Sequence, residues 1–114
     1  VENNLMDLII PEILADADAA HMALTFKGLS DLTRLKILSV LLHGEIRVSD
    51  LAERVQSSQS AVSHQLRVLR DLGFVSSRRE GQQIFYRIDD EHIEDLFQKA
   101  FAHSRHLSER RKAA

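Results

Sequence analysis

Hydrophobic residues recur along this chain at two periods, and the places where the period changes mark out its elements. Leu5, Leu8, Ile9, Ile13 and Leu14 fall at helical spacing and run into an alanine-rich stretch that reaches His21. That pattern predicts one or two helices over residues 5–27, with Pro11 at a first turn or a kink and Gly28 near the end. Ser30 and Asp31 suit the N-cap of the next helix, which turns Leu35, Leu38, Leu41 and Leu42 inward and stops at Gly44. After the connector Glu45-Ile46-Arg47, residues 48–55 read as a helix of about two turns capped by Ser49. A polar break at residues 56–58 precedes a helix over 59–72, where Val62, Leu66 and Leu69 repeat at i, i+4 and i+7. Gly73 terminates it.

The period then shortens. Residues 74–79 and 84–88 read as strands flanking Glu80-Gly81-Gln82-Gln83, which makes a hairpin. Asp89, Asp90 and Glu91 place negative charge at the start of a final helix, whose apolar stripe is Ile93, Leu96, Phe97, Ala100 and Phe101. The tail over residues 109–112 reads as frayed. The expected fold is mainly α with a small β-hairpin wing, in one domain spanning residues 1–114.

Two short helices joined by a tight polar turn and followed by a basic hairpin have the order of a winged helix-turn-helix. In that arrangement the second helix lies in the major groove with its N-terminal residues at base edges. Those residues here are Gln59, Ser60, Ser63 and His64, with Arg67 one turn on, and much of the set shares one helix face. Glutamine pairs bidentately with adenine, serine fits either groove pattern, and arginine suits guanine or phosphate. Arg78 and Arg79 on the hairpin are placed to meet phosphate or a minor groove. Ser49 and Gln82 complete the expected contacts. A polar helix face alone is equally well explained as solvated surface.

Charge tips the balance. The net charge is -2, but it is unevenly spread. Residues 1–26 hold five acids and no Lys or Arg, whereas residues 62–88 hold Arg67, Arg70, Arg78, Arg79 and Arg87 against Asp71 and Glu80. A locally basic face on an acidic body is compatible with double-stranded operator DNA, because phosphate contacts act locally.

A second constellation lies on the last helix: Asp90, His92, His103 and His106, spaced Asp-x-His-x10-His-x2-His. At about 1.5 Å of rise per residue, His92 and His103 are roughly 16 Å apart on nearly one azimuth. Metal bonds of about 2 Å cannot close that gap within one helix. An antiparallel second copy would close it, so the spacing points to a homodimer with two metal sites. The chain has no cysteine, so any ion is held by nitrogen and oxygen, which favours Zn(II), Co(II) or Ni(II) over soft ions. Taken singly, each histidine is as readily idle surface and Asp90 as readily a helix cap. His21 and His43 have no comparable partners and read as structural.

Composition excludes other classes. No apolar run approaches the roughly 20 residues of a membrane span, and no basic residue precedes Lys27, which argues against a leader peptide. A cytoplasmic protein without membrane or small-molecule substrate is the default reading. A zinc hydrolase would need a general base and a Gly-rich substrate loop, and neither is evident.

The chain resembles the ArsR/SmtB family of bacterial metal-responsive repressors. The stretches that carry the likeness are Leu29 to Leu38, Val48 to Ala52, Ser58 to Leu66 and the wing from Arg79 to Ile88, so it spans about residues 22–107. Leu32 departs from the pattern, where the family usually has proline. The resemblance implies a dimeric winged-helix repressor that leaves its operator when metal binds. One group of the family uses cysteines on the helix beginning here near Val48, and that site is absent. Another uses the last helix with the pattern found here, implying Asp90 and His92 of one subunit beside His103 and His106 of the other. A regulator of the same fold answering a non-metal signal is the alternative.

Overall fold

The structure, a computed structural model, describes residues 9–113. Five helices and three strands follow in the order α1 (Asp16–Gly28), α2 (Leu32–Leu41), β1 (Ile46–Arg47), α3 (Val48–Arg54), α4 (Gln59–Asp71), β2 (Val75–Glu80), β3 (Gln83–Ile88) and α5 (Glu91–Ala113).

The helices of the middle segment form where their apolar stripes meet a core. Ile37, Leu38 and Leu41 of α2 pack with Leu51 and Ala52 of α3 and with Val62, Leu66 and Leu69 of α4. Phe74, Val75, Tyr86 and Ile88 close the cluster from the sheet, and Ile93 anchors the start of α5. Each large side chain so buried stabilises the fold by roughly 1.5–3 kcal/mol. The carboxylate of Asp31 accepts the Arg34 amide and caps α2, as its sequence position implied. Leu32 is the first residue of that helix and 72% exposed, a place where proline is also well tolerated, so its departure from the family pattern costs little. The inward set of α2 differs from expectation: Ile37 is fully buried, while Leu35 turns partly to solvent.

Three further readings are corrected. Residues 9–15 are not helical, and α1 begins at Asp16, past Pro11, whose ring disfavours helix before it. The positions 5–8 lie outside the described residues. The connector after Gly44 supplies a third strand, β1, with Ile46 opposite Tyr86 and Arg47 opposite Phe85, giving the antiparallel order β1-β3-β2. Finally, α5 continues to Ala113 where a frayed tail was expected. The hairpin itself is tighter than predicted: Glu80 pairs with Gln83 and only Gly81 and Gln82 turn the chain. Gly81 has φ +63°, a conformation that favours glycine.

α1 stands apart from this core. Gly28 is its one buried residue, and Met22, Leu24 and Phe26 are about half exposed or more. Phe101 of α5 is 61% exposed. Among the described residues no helix is long and apolar enough to cross a membrane.

Candidate nucleic-acid interface and terminal-helix ligands

α3 and α4 are joined by a turn in which Gln56 takes φ +56°. Ser58 then caps α4, its hydroxyl accepting the Ala61 amide at 3.1 Å. This cap and the buried stripe of Val62, Leu66 and Leu69 fix which side of α4 faces outward. Gln59, Ser60, His64 and Arg67 are exposed there and Ser63 is half-buried. A shallow groove of about 180 Å³ joins α4 to the neighbouring elements and is lined by Ser49, Gln59, Ser63 and Gln82, together with Val48 and Gln83. Residues from two helices and the hairpin tip are thus gathered on one surface, four of them among the expected contacts. Ser60, His64, Arg67 and Arg79 lie outside this groove. Ser49 does not cap α3: Arg47 holds the cap position, without a side-chain bond, and Ser49 is the second helical residue.

Arg78 is bonded to two carboxylates. Its Nε donates to both Glu45 oxygens at 2.9 and 3.0 Å, and its Nη1 donates to Glu80 at 2.9 Å. Its guanidinium also lies 4.5 Å from the centre of the Phe85 ring. Arg78 is therefore engaged in holding the wing to the loop before β1. The hydrogen bond from Arg78 keeps the Glu45 carboxyl below its ordinary value and keeps the Arg78 guanidinium more firmly protonated. Arg79, its neighbour in β2, is exposed and carries no ion pair among the described residues.

At the start of α5, Asp90 and His92 are already paired. One Asp90 oxygen accepts the His92 amide at 2.8 Å and lies 2.9 Å from His92 Nδ1. Asp90 also accepts the Ile93 amide through its carbonyl, so it caps the helix as well. His103 and His106 are exposed on the same continuous helix. Within one chain, and among the described residues, no three groups of the metal-binding kind come together. One protomer brings the Asp90 carboxylate and the His92 imidazole together, and no third such group among the described residues joins them.

The pattern that describes bacterial regulatory proteins of the arsR family matches residues 31–77, which run from the cap of α2 through α4 into β2. The chain is 45% identical over 96 residues to a cadmium resistance transcriptional regulatory protein CadC homolog of Staphylococcus aureus, covering 83% of this chain and 79% of that one. The chain belongs to the arsR family.

Other comparisons agree. The HTH-type transcriptional regulator NmtR of Mycobacterium tuberculosis is 48% identical over 89 residues, which are 78% of this chain and 74% of that protein. A homodimeric winged helix-turn-helix DNA-binding domain from Mycobacterium bovis superposes with a TM-score of 0.74 at 31% identity, covering 87% of this chain and 95% of that domain. As an arsR-family member the chain is a transcriptional regulator and not an enzyme.

Sequence reasoning passed over two residues near the interface. Arg34 of α2 bonds to Gln65 of α4, and Glu45 holds Arg78. Both bonds join residues more than 30 positions apart, a separation no local pattern reveals. The one available signal was an arginine inside an otherwise apolar helix face.

Proposed function

We infer that this arsR-family protein is a homodimeric, cytoplasmic repressor whose single domain both reads a palindromic operator and senses a divalent metal. Gln59, Ser60, Ser63, His64 and Arg67 read the major groove, Ser49 and Gln82 line its edge, and Arg79 meets phosphate. Arg78 acts indirectly by holding the wing. The metal ligands are Asp90 and His92 of one protomer with His103 and His106 of the other. Zn(II) is the best match for four nitrogen and oxygen donors, with Co(II) and Ni(II) accepted by the same set.

The observation that carries the metal reading is the Asp90–His92 pair, 2.9 Å apart at one end of a helix that presents two further imidazoles about 16 Å on. Exposed Met22, Phe26 and Phe101 support a dimer, since a lone chain would leave these apolar side chains in water. When bound, the ion would supply a bridge between subunits. Asp90 and His92 orient each other before any ligand arrives, and a bridged dimer holds its two copies of α4 at one fixed separation. A separation mismatched to half-sites one duplex turn apart weakens DNA binding, and by linkage DNA weakens the ligand site equally.

Fluorescence anisotropy on a palindromic operator, with and without zinc, tests this. The unaltered protein loses operator affinity on adding zinc. His92→Ala and His103→Ala keep operator binding and lose the response. An operator complex that zinc leaves intact would favour a non-metal signal on the same fold.

A further inference from the structure

Although α1 adds no side chain to the core, its C-terminal end is fixed against α4 and the residues after it at two points. One is Gly28, whose Cα lies so close to Leu72 and Phe74 that a side chain there would collide with both. The other is Arg34, which is half-buried on α2. Its Nε donates to the Gly28 carbonyl at 2.8 Å and its Nη2 to the Lys27 carbonyl at 3.3 Å, closing the end of α1. Its Nη1 donates to Gln65 Oε1 at 3.1 Å. A planar guanidinium presents these donors in a fixed fork, so three acceptors on two helices are held in one rigid frame.

Gln65 lies between His64 and the fully buried Leu66. The apolar stripe of α4 fixes which side faces the core, but apolar contact has no direction and leaves the last several degrees of rotation about the helix axis to other contacts. Rotation matters to reading. With side chains roughly 5–6 Å from the axis, a turn of about 10° carries their ends about 1 Å, enough to spoil a base contact. The bond to Gln65 is directional and sits on the flank of α4, where it resists that rotation.

We propose that Arg34 is a positioning residue for DNA reading: through Gln65 it sets the rotation of α4, with the end of α1 as its anchor. The proposal rests on the DNA-reading assignment and not on the metal ligands. Nothing in it requires Arg34 to touch DNA.

The test uses metal-free, full-length protein and two duplexes, one palindrome enriched from a random pool by the unaltered protein and one scrambled duplex of equal length. Gln65→Met removes the bond while leaving the α1 carbonyls capped by Arg34. A mispositioned helix loses base contacts but keeps phosphate attraction, whereas a merely less stable protein weakens on both duplexes. Gln65→Met should lose about five- to tenfold on the enriched duplex and less than about twofold on the scrambled one, in line with the net worth of one hydrogen bond. Arg34→Met should lower the ratio of the two affinities equally, and the double variant should lower it no further. Equal losses on both duplexes, or Gln65→Met within twofold of the unaltered protein on both, would overturn the proposal. So would an Arg34→Met variant that keeps the ratio, since Gln65 would then be touching DNA itself. Failure to enrich any duplex is a separate result, one that removes the DNA-reading assignment on which the proposal stands.

Discussion

Replacing Gly28 by alanine sets two opposing effects against each other. Gly28 ends α1 without a positive φ, so alanine there removes unfolded-chain freedom and favours the helix by about 0.5–1 kcal/mol. Against this, the new Cβ would lie 2.6 Å from Leu72 Cδ1 and 2.9 Å from Phe74 Cε2. The Leu72 methyl ends a half-buried chain that can swing aside, but the Phe74 ring is 4% exposed and packed within the core. Forcing one extra carbon into such a site costs about 1–3 kcal/mol. The collision wins, and the variant should be destabilised by about 1 kcal/mol, or about 4 °C in Tm for a chain of this size. Urea unfolding followed by circular dichroism checks this at matched protein concentration, because dimer formation shifts the midpoint. In a Leu72→Ala background the shorter contact disappears and the cost of Gly28→Ala should shrink. A Gly28→Ala protein more stable than its parent would refute the close approach of α1 to the segment after α4.

Other perturbations probe the remaining surfaces. Glu45 is held below the ordinary 4.5 by its bond from Arg78, so its contribution is present above that value and is lost as pH falls through the folded-state value. Thermal unfolding of Glu45→Gln should therefore differ from that of the parent near neutrality and converge with it in acid. Arg67→Ala should weaken operator binding and flatten the salt dependence by about one unit of slope if the side chain meets phosphate, or relax base preference at one position if it meets a base; titrations at several salt concentrations distinguish these. Phe101→Glu places a charge on a side chain that is 61% exposed in the single chain, so the fold should survive and the proposed dimer should dissociate. Sedimentation velocity at matched concentration reads that change, and a variant that stays dimeric would exclude this face from the interface.

Elements that bury their apolar repeat inside the chain were the most legible, and an apolar repeat that stays exposed was the less reliable guide. The stripe of Val62, Leu66 and Leu69 gave α4 within a residue of its observed end, because all three are fully buried and the period reports that burial directly. The hairpin followed from strand-forming runs on either side of a glycine turn. At the other extreme, Ile9 and Ile13 are exposed and sit outside any helix, so their spacing reported no packing within this chain. β1 is two residues long, too short for alternation to register. Of the expected DNA contacts, Ser49, Gln59, Ser63 and Gln82 meet in one groove, while Arg78 bonds to Glu45, 33 positions away. The terminal-helix residues were visible through spacing alone, and the fold adds the contact between the first two of them.

The layout also constrains how signal and response can be joined. The proposed ligands lie on α5 and at its cap, Asp90, and the one deeply buried residue of α5 is Ile93, while the proposed reading residues lie on α4, held by a core in which α5 has little part. Movement of α5 alone would thus leave α4 in place. α1 borders both regions: Met22, Thr25 and Phe26 share a groove with His92, while Gly28 and Lys27 meet Leu72, Phe74 and, through Arg34, Gln65. Because α1 has no stake in the core, shifting it breaks few apolar contacts within the chain. A helix loosely held along its length and tightly held at one end is suited to carry a displacement from the proposed ligands to the proposed reading helix. Exchange of the α1 amides should therefore change on adding zinc more than that of the core amides of α2, and equal protection of both with and without the ion would assign the linkage to subunit reorientation alone.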